Sequence, residues 1–451
     1  MEELNGYYQI LPLKVFQNLD TINELLQPEI KGYCPDCLKE IISIIACHVQ
    51  KADGCAPLQM ETLKKLVPQA GRYLTGLIDA GIIVREGRYI PGVLSYKYHF
   101  APEYESQYMN IKLENNKLIR RIKRVYEEGQ REAGKKIRGY NNQVRYLKGL
   151  TINDEFKEYL NSYLRVNALQ YNNALASAFR IINKDIFYSI DSTSGRFHSN
   201  LTNMAKGLRG YLRINGEPLV NIDVKNSQPY LSTIILTNPG KVSWLTENPA
   251  FALLLQTLKV SINQDVKNYI NLVASGQLYE YLMQEFSKEG PTLTRDETKL
   301  QVLRILFARN RKPKNEVNAK CRQIFKDIFP TVHRKFSKVR GSARGDKFSN
   351  YKRFAILLQR IEAYLMLDLI LKRIYRELPG TIAVTIHDSI MTGILTNNVE
   401  AARKIITEEL TNFTGISPKI QIEDYRDKNR KEERRNTLYN QYDATTFVTL
   451  N

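Results

Sequence analysis

Cysteine is scarce in this chain, five in 451 residues. So few thiols exclude a disulfide scaffold and point to a reducing compartment, with the cytoplasm as the expectation. Cys34 and Cys37 have the spacing of half a zinc site, with Cys47, His48 and Cys55 nearby. Cys47, however, falls inside the apolar helical run Leu38–Val49, where a core thiol is the simpler reading. Long hydrophobic runs are missing as well, and the amino terminus carries no signal-like apolar core, so a membrane partner is not expected. No internal repeat is present. Acidic residues are also short, 47 against 66 basic ones, and a formal charge of +19 exceeds what solubility requires. Such an imbalance points to a polyanion, and nucleic acid fits best. The hydrophobic content of 43% still supports sizeable cores divided among about two to four domains.

Along the chain, residues 37–100 have the rhythm of a winged helix. The runs Leu38–Val49, Met60–Val67 and Gln69–Ala80 read as helices, the last ending at Gly81, and Ile82–Arg85 and Val93–Phe100 read as strands around a turn at 87–92. The third helix carries Arg72 and Tyr73, a thin basic face for a major groove, and the same unit serves equally as a protein contact or structural cap. Residues 105–185 read as polar, basic helices. Lys117, Arg120, Arg121, Lys123, Arg124, Arg131, Lys135, Lys136 and Arg138 recur at spacings of three and four, forming a stripe able to track phosphates. Arg426–Arg435 is another charged segment, expected to be exposed.

The chemistry concentrates in four places. Leu219–Val224 alternates as a strand, sending Asn221 and Asp223 to one face and Val220, Ile222 and Val224 to the other. Ser227–Tyr230 then breaks the pattern before an apolar helix from Leu231. A second strand, Thr381–Ile386, leads into His387, Asp388 and Ser389. Unbroken alternation would put Asp388 on the apolar face of Val384 and Ile386, so a tight turn at 387–389 is expected, with the carboxylate at its tip. Two carboxylates at the ends of apolar strands call for neutralisation, and a pair of divalent cations shared between them is the arrangement that drives in-line phosphoryl transfer. Third, a helix expected over Arg295–Arg309 sets Arg295, Lys299, Leu303 and Phe307 at steps of four, spanning about 18 Å. Cations at one end and an aromatic ring at the other suit a nucleoside triphosphate. Fourth, the segment Ser194–Asn203 just before the Asp223 strand offers a glycine turn at Gly195 and donors on Arg196 and the neighbouring Asn and Ser side chains for a nucleic-acid backbone or minor groove.

In order and spacing these elements resemble the polymerase core of the DNA polymerase I family (family A), which is related to the phage-type single-subunit RNA polymerases. Ser194–Asn203 resembles that family's T-G-R-x-x-S…N-L-x-N stretch, Asp223 its motif A aspartate, and Arg295, Lys299 and Phe307 its fingers helix, with Phe for Tyr and Ala308 for Gly. His387 and Asp388 resemble motif C, Ile328–His333 the F-P-x-V segment, and Gln359 a template-primer glutamine. The likeness spans roughly residues 190–395 and includes no proofreading exonuclease.

The resemblance implies an α+β right-hand polymerase with an antiparallel palm sheet and helical fingers and thumb. Its divisions would be a winged helix at 1–104, a thumb-like region at 105–185, palm at 186–235, fingers at 236–345, palm again at 346–425 and a charged tail at 426–451. It implies two Mg2+ ions on Asp223, Asp388 and the Val224 carbonyl; triphosphate on Arg295 and Lys299; stacking by Phe307; and template-primer held by Arg196, Gln359 and His387. Gln228 stands where family DNA polymerases carry the Glu that blocks a ribose 2′-hydroxyl, and Ser389 stands where they carry Glu, as in the RNA polymerases. The expectation is a DNA-directed DNA polymerase using dNTPs, with an origin in a phage or other mobile element. The alternatives are an RNA polymerase or primase taking rNTPs, and a catalytically inactive winged-helix initiator or regulator.

Overall fold

The computed structural model describes residues 6–49, 54–90, 94–136, 140–163, 168–341, 350–395 and 398–426. These divide into two compact units, one of the residues up to Tyr188 with Ser199–Pro218 and those from Tyr425, the other of Ser189–His198 and Leu219–Asp424. Both mix helices with antiparallel strands.

The first unit opens with β1 (Tyr7–Pro12), whose partner β5 (Tyr108–Leu113) lies about a hundred residues on, with Ile10 opposite Asn110. Between them come α1 (Pro35–His48), β2 (Ala56–Pro57), α2 (Met60–Leu66), α3 (Ala70–Asp79), β3 (Ile83–Glu86) and β4 (Lys97–Phe100). The strands form a sheet in the order β2-β4-β3. α1 begins earlier than Leu38 because Pro35 sits in its first turn, where a missing N–H costs nothing. Of the two residues expected to face a groove, Arg72 is exposed but Tyr73 is core. Its ring is 2% exposed and its hydroxyl accepts from the Cys34 N–H at 2.8 Å. Cys37 is buried, and the Cys34 thiol accepts from Asn115.

Beyond β5 the region is not all helical. α4 (Asn116–Lys136) buries only Leu118 and Ile122 along its described core face, leaving Lys117, Arg120, Lys123, Arg124, Arg131 and Lys135 exposed. β6 (Leu150–Ile152) and α5 (Ala168–Ile182) follow. Arg138 and the tail beyond Arg426 lie outside the described residues. Among the described residues no helix is long and apolar enough to cross a membrane.

A hairpin of β7 (Tyr188–Ile190) and β8 (Phe197–Ser199) leads to β9 (Leu212–Ile214) and β10 (Glu217–Val224). β10 begins in the first unit, where Glu217 and Pro218 pair with β9. In the second unit it is the central strand of an antiparallel sheet in the order β11-β12-β10-β13, flanked by β12 (Ser389–Gly393) and β13 (Ile420–Glu423), with β11 (Ala383–Ile386) outermost. Ile222 is fully buried and pairs with Ile390 on one side and Ile422 on the other. Behind the sheet, α6 (Ser227–Thr237) starts four residues earlier than Leu231. Pro229 falls within its first turn and is tolerated there instead of breaking the helix. The Tyr230 hydroxyl sits 2.7 Å from both Thr414 Oγ1 and the Ile416 carbonyl, fixing α6 to the end of the helix Val399–Thr414.

Candidate active site

The sheet register decides which side chains meet. Asp223 is directly opposite Ser389 on β12 and Gln421 on β13, and Asn221 is opposite Met391 and Glu423. Cross-strand partners share a face, so Asn221, Asp223, Ser389, Gln421 and Glu423 all point to the same side, away from Val220, Ile222 and Val224. β11 ends at Ile386 and β12 begins at Ser389, leaving His387 and Asp388 as the two residues of a tight turn. His387 takes the left-handed conformation, φ 53°, that such a turn needs. The turn thereby lifts Asp388 off the apolar face of β11 and sets it one residue from the partner of Asp223.

Asp388 is half-buried. Burial pushes its carboxyl above the ordinary range, while its own backbone N–H, the Lys299 and Arg196 charges and the Ser227 hydroxyl pull the other way. Lys299 on the helix after Thr294 and Arg196 on the β7–β8 hairpin thus act on the same carboxylate. The hairpin is shaped by Asp191. Its carboxylate accepts from the Thr193 N–H at 3.1 Å and the Ser194 N–H at 2.8 Å, and Gly195 supplies φ 73°. The His198 ring at its other end meets His387 edge-on, centroids 5.4 Å apart.

Arg196 does not project freely. Its guanidinium forks onto Glu362, with Nε 2.8 Å from Oε1 and a second nitrogen 2.9 Å from Oε2. Glu362 belongs to α10 (Arg353–Ala363), is 3% exposed, and also accepts from Gln228 Nε2 at 2.5 Å. Burial and the Asp388 charge raise its carboxyl to about 7, against the lowering effect of Arg196 and Gln228. Gln359 is half-buried one turn earlier on the same helix. Ser199 and Asn200, expected as donors to nucleic acid, are used internally in the first unit. Ser199 caps the short helix Asn200–Asn203, and Asn200 bonds the Asp185 carbonyl and the Phe187 N–H.

The helix expected over 295–309, α8 (Arg295–Phe307), stops at Phe307. Buried Arg340, at the end of α9 (Pro330–Arg340), donates to the Ile305 and Leu306 carbonyls, ending the helix with a cation where its dipole is negative. Thr294 and Glu297 form a capping box at the other end. Arg295 pairs with Glu280 at 2.6 Å and lies 5.6 Å from the centre of the Tyr279 ring, both on α7 (Leu278–Glu289). Tyr279 is itself raised by burial and by the Asp388 charge, which links this end of α8 to the carboxylates. Phe307 is half-buried and packs edge-on against Phe354.

Among the described residues no three His, Cys, Asp or Glu side chains are arranged as a ligand cluster. A metal would therefore rest on Asp223, Asp388, backbone and water. The donors fit a hard divalent ion: two carboxylates at adjacent strand ends, on a face where Asn221 Oδ1 is buried without a hydrogen-bond partner.

Four residues of this centre escaped the sequence reading: Glu362, Ser227, Lys225 and Glu423. The Lys225 ammonium lies 3.7 Å from Asp223 Oδ2 and 3.9 Å from Glu423 Oε1.

No protein-family model matches the chain, and no curated protein matches it. Among solved structures, the POL domain of Pol1 from M. smegmatis, in complex with DNA primer-template and dNTP, aligns at 13% identity with a TM-score of 0.30, covering 67% of this chain and 65% of that one. The chain thus spans less than two thirds of that structure's length.

Proposed function

We propose that the chain is a template-directed nucleotidyltransferase, a DNA-directed DNA polymerase of family A type without a proofreading exonuclease. The observation that carries this reading is the pairing of Asp223 with Ser389, which sets Asp388 beside it at the tip of the neighbouring hairpin. In this reading 1–104 is a winged helix, 105–185 the thumb, 186–235 and 346–425 the palm, 236–345 the fingers, and 426–451 a charged tail. A magnesium pair, when bound at Asp223, Asp388 and the Val224 carbonyl, supplies Lewis-acid stabilisation of phosphoryl oxygens and a more acidic primer hydroxyl.

The chain's own residues do the rest. Lys299 and Arg295 neutralise the incoming triphosphate, and Phe307 stacks on the nascent pair. Gln228, its amide held by Glu362, lies against the sugar. Arg196, Gln359 and His387 hold the template-primer, Arg196 through a guanidinium already oriented by Glu362.

Primer extension with Mg2+ tests this. Incorporation of dNTPs on a primed template is the expected result, lost in Asp223→Asn and in Asp388→Asn while template binding survives. Incorporation of rNTPs or unprimed synthesis would identify an RNA polymerase or primase, for which Ser389 is the favouring residue. Neither product would leave the initiator or regulator. Near-normal rates in either Asn variant reject the carboxylate assignment.

A further inference from the structure

Lys225 stands two residues after Asp223, in the turn just beyond the end of its strand, and its ammonium reaches the face that holds Asp223 and Glu423. Glu423 is 5% exposed and stands opposite Asn221, one diagonal step from Asp223, so two carboxylates share this patch of sheet. The Lys225 ammonium is suspended between them at 3.7 and 3.9 Å, beyond hydrogen-bond distance of either. It is held by charge and locked to neither oxygen. Glu423 also does not complete a three-acid ligand cluster with the two aspartates. Lys225 is a cation that the fold sets beside it, at 3.9 Å.

We infer that Lys225 is a resident placeholder cation at Asp223, and that Glu423 is the site to which it withdraws when a divalent ion takes Asp223. A monovalent ammonium neutralises the carboxylates until metal arrives. The ion then repels it, and Glu423 receives it less than one side-chain length away. Lys225 thus opposes metal binding, and Glu423 relieves that opposition as a positioning residue without ligating the ion. The inference rests on the metal reading of Asp223 given above.

The test is Mn2+ binding to the full chain, titrated by electron paramagnetic resonance without substrate or turnover. Lys225→Met should bind Mn2+ about fivefold more tightly, the scale of one partly exposed ion pair, and Lys225→Arg should bind as the wild type does. Glu423→Gln should bind about fivefold more weakly while Lys225 is present, and should change binding less than about twofold in the Lys225→Met background. Lys225→Met without effect overturns the inference, and so does Glu423→Gln weakening binding equally in both backgrounds, which would make Glu423 a ligand. Asp223→Asn separates the two levels. If it binds Mn2+ as the wild type does, the metal reading of Asp223 fails and this inference falls with it; if it loses binding, the lysine and glutamate variants judge the inference alone.

Discussion

Glu362→Gln should stabilise the second unit, and increasingly so as pH rises. Glu362 is 3% exposed, forked onto Arg196, bonded to Gln228 and faced by Asp388. Its carboxyl is raised from 4.5 to about 7 because burial and the Asp388 charge outweigh its two partners. The folded protein therefore holds this proton more firmly than the unfolded chain does. A group raised in this way contributes stability that is fully present below about pH 4.5 and is lost as pH rises through about 7. The whole interval corresponds to about 3 kcal/mol, of which about 2.5 kcal/mol falls between pH 5 and pH 8.

Glutamine has the shape of the protonated acid and does not titrate. It also removes the carboxylate charge that faces Asp388, whose own carboxyl is raised by burial, so both effects have one sign. The assay is urea unfolding in chelated buffer at several pH values, followed by tryptophan fluorescence. Trp244 is the chain's one tryptophan and meets Tyr364 edge-on at 4.9 Å, two residues beyond Glu362, so it reports on the relevant unit. The advantage of Glu362→Gln over wild type should widen by about 2.5 kcal/mol from pH 5 to pH 8. A constant difference, or one that widens toward acid, would falsify the assignment of Glu362 as a buried acid ionised at net cost.

Two further predictions concern the nucleotide. Lys299→Ala removes a charge that acts on Asp388 and, in the proposed reaction, on the triphosphate. The apparent nucleotide requirement should rise about tenfold or more, with slower incorporation, consistent with one lost charge-assisted contact of about 1.5–3 kcal/mol; an unchanged nucleotide dependence in single-turnover kinetics excludes the role. Gln228→Ala frees Glu362 of one donor and opens space beside the sugar, so rNTP incorporation should rise relative to dNTP by about tenfold or more; an unaltered ratio in paired extension assays argues against Gln228 as the gate.

Much of this centre is written in local alternation. Asp223 is legible because polar and apolar residues trade places along one strand, and Asp388 because the only way to rescue it from an apolar face is a turn. Both inferences need a few adjacent residues. Glu362 is not legible in that way: it occupies a helix whose neighbours include Arg360 and Gln359, and reads as one more surface acid until the fold closes over it. Arg340 resembles the basic residues around it, yet lies 2% exposed on the carbonyls that end α8. The pairing of β1 with β5 brings together segments about a hundred residues apart, and neither segment names its partner. Lys225 and Glu423 meet only because β13 returns to the open edge of β10. What sequence conceals here is which charges face one another, since charge pairing depends on long-range register and alternation does not.

The backbone at His387 has a practical corollary. A left-handed torsion on a residue with a side chain costs on the order of 1 kcal/mol or more, and glycine would relieve it. Any campaign that selects variants for heat resistance alone will be drawn to glycine at this position. It would gain robustness by erasing the imidazole beside His198, so thermal screens of this molecule should be run with a functional counter-screen.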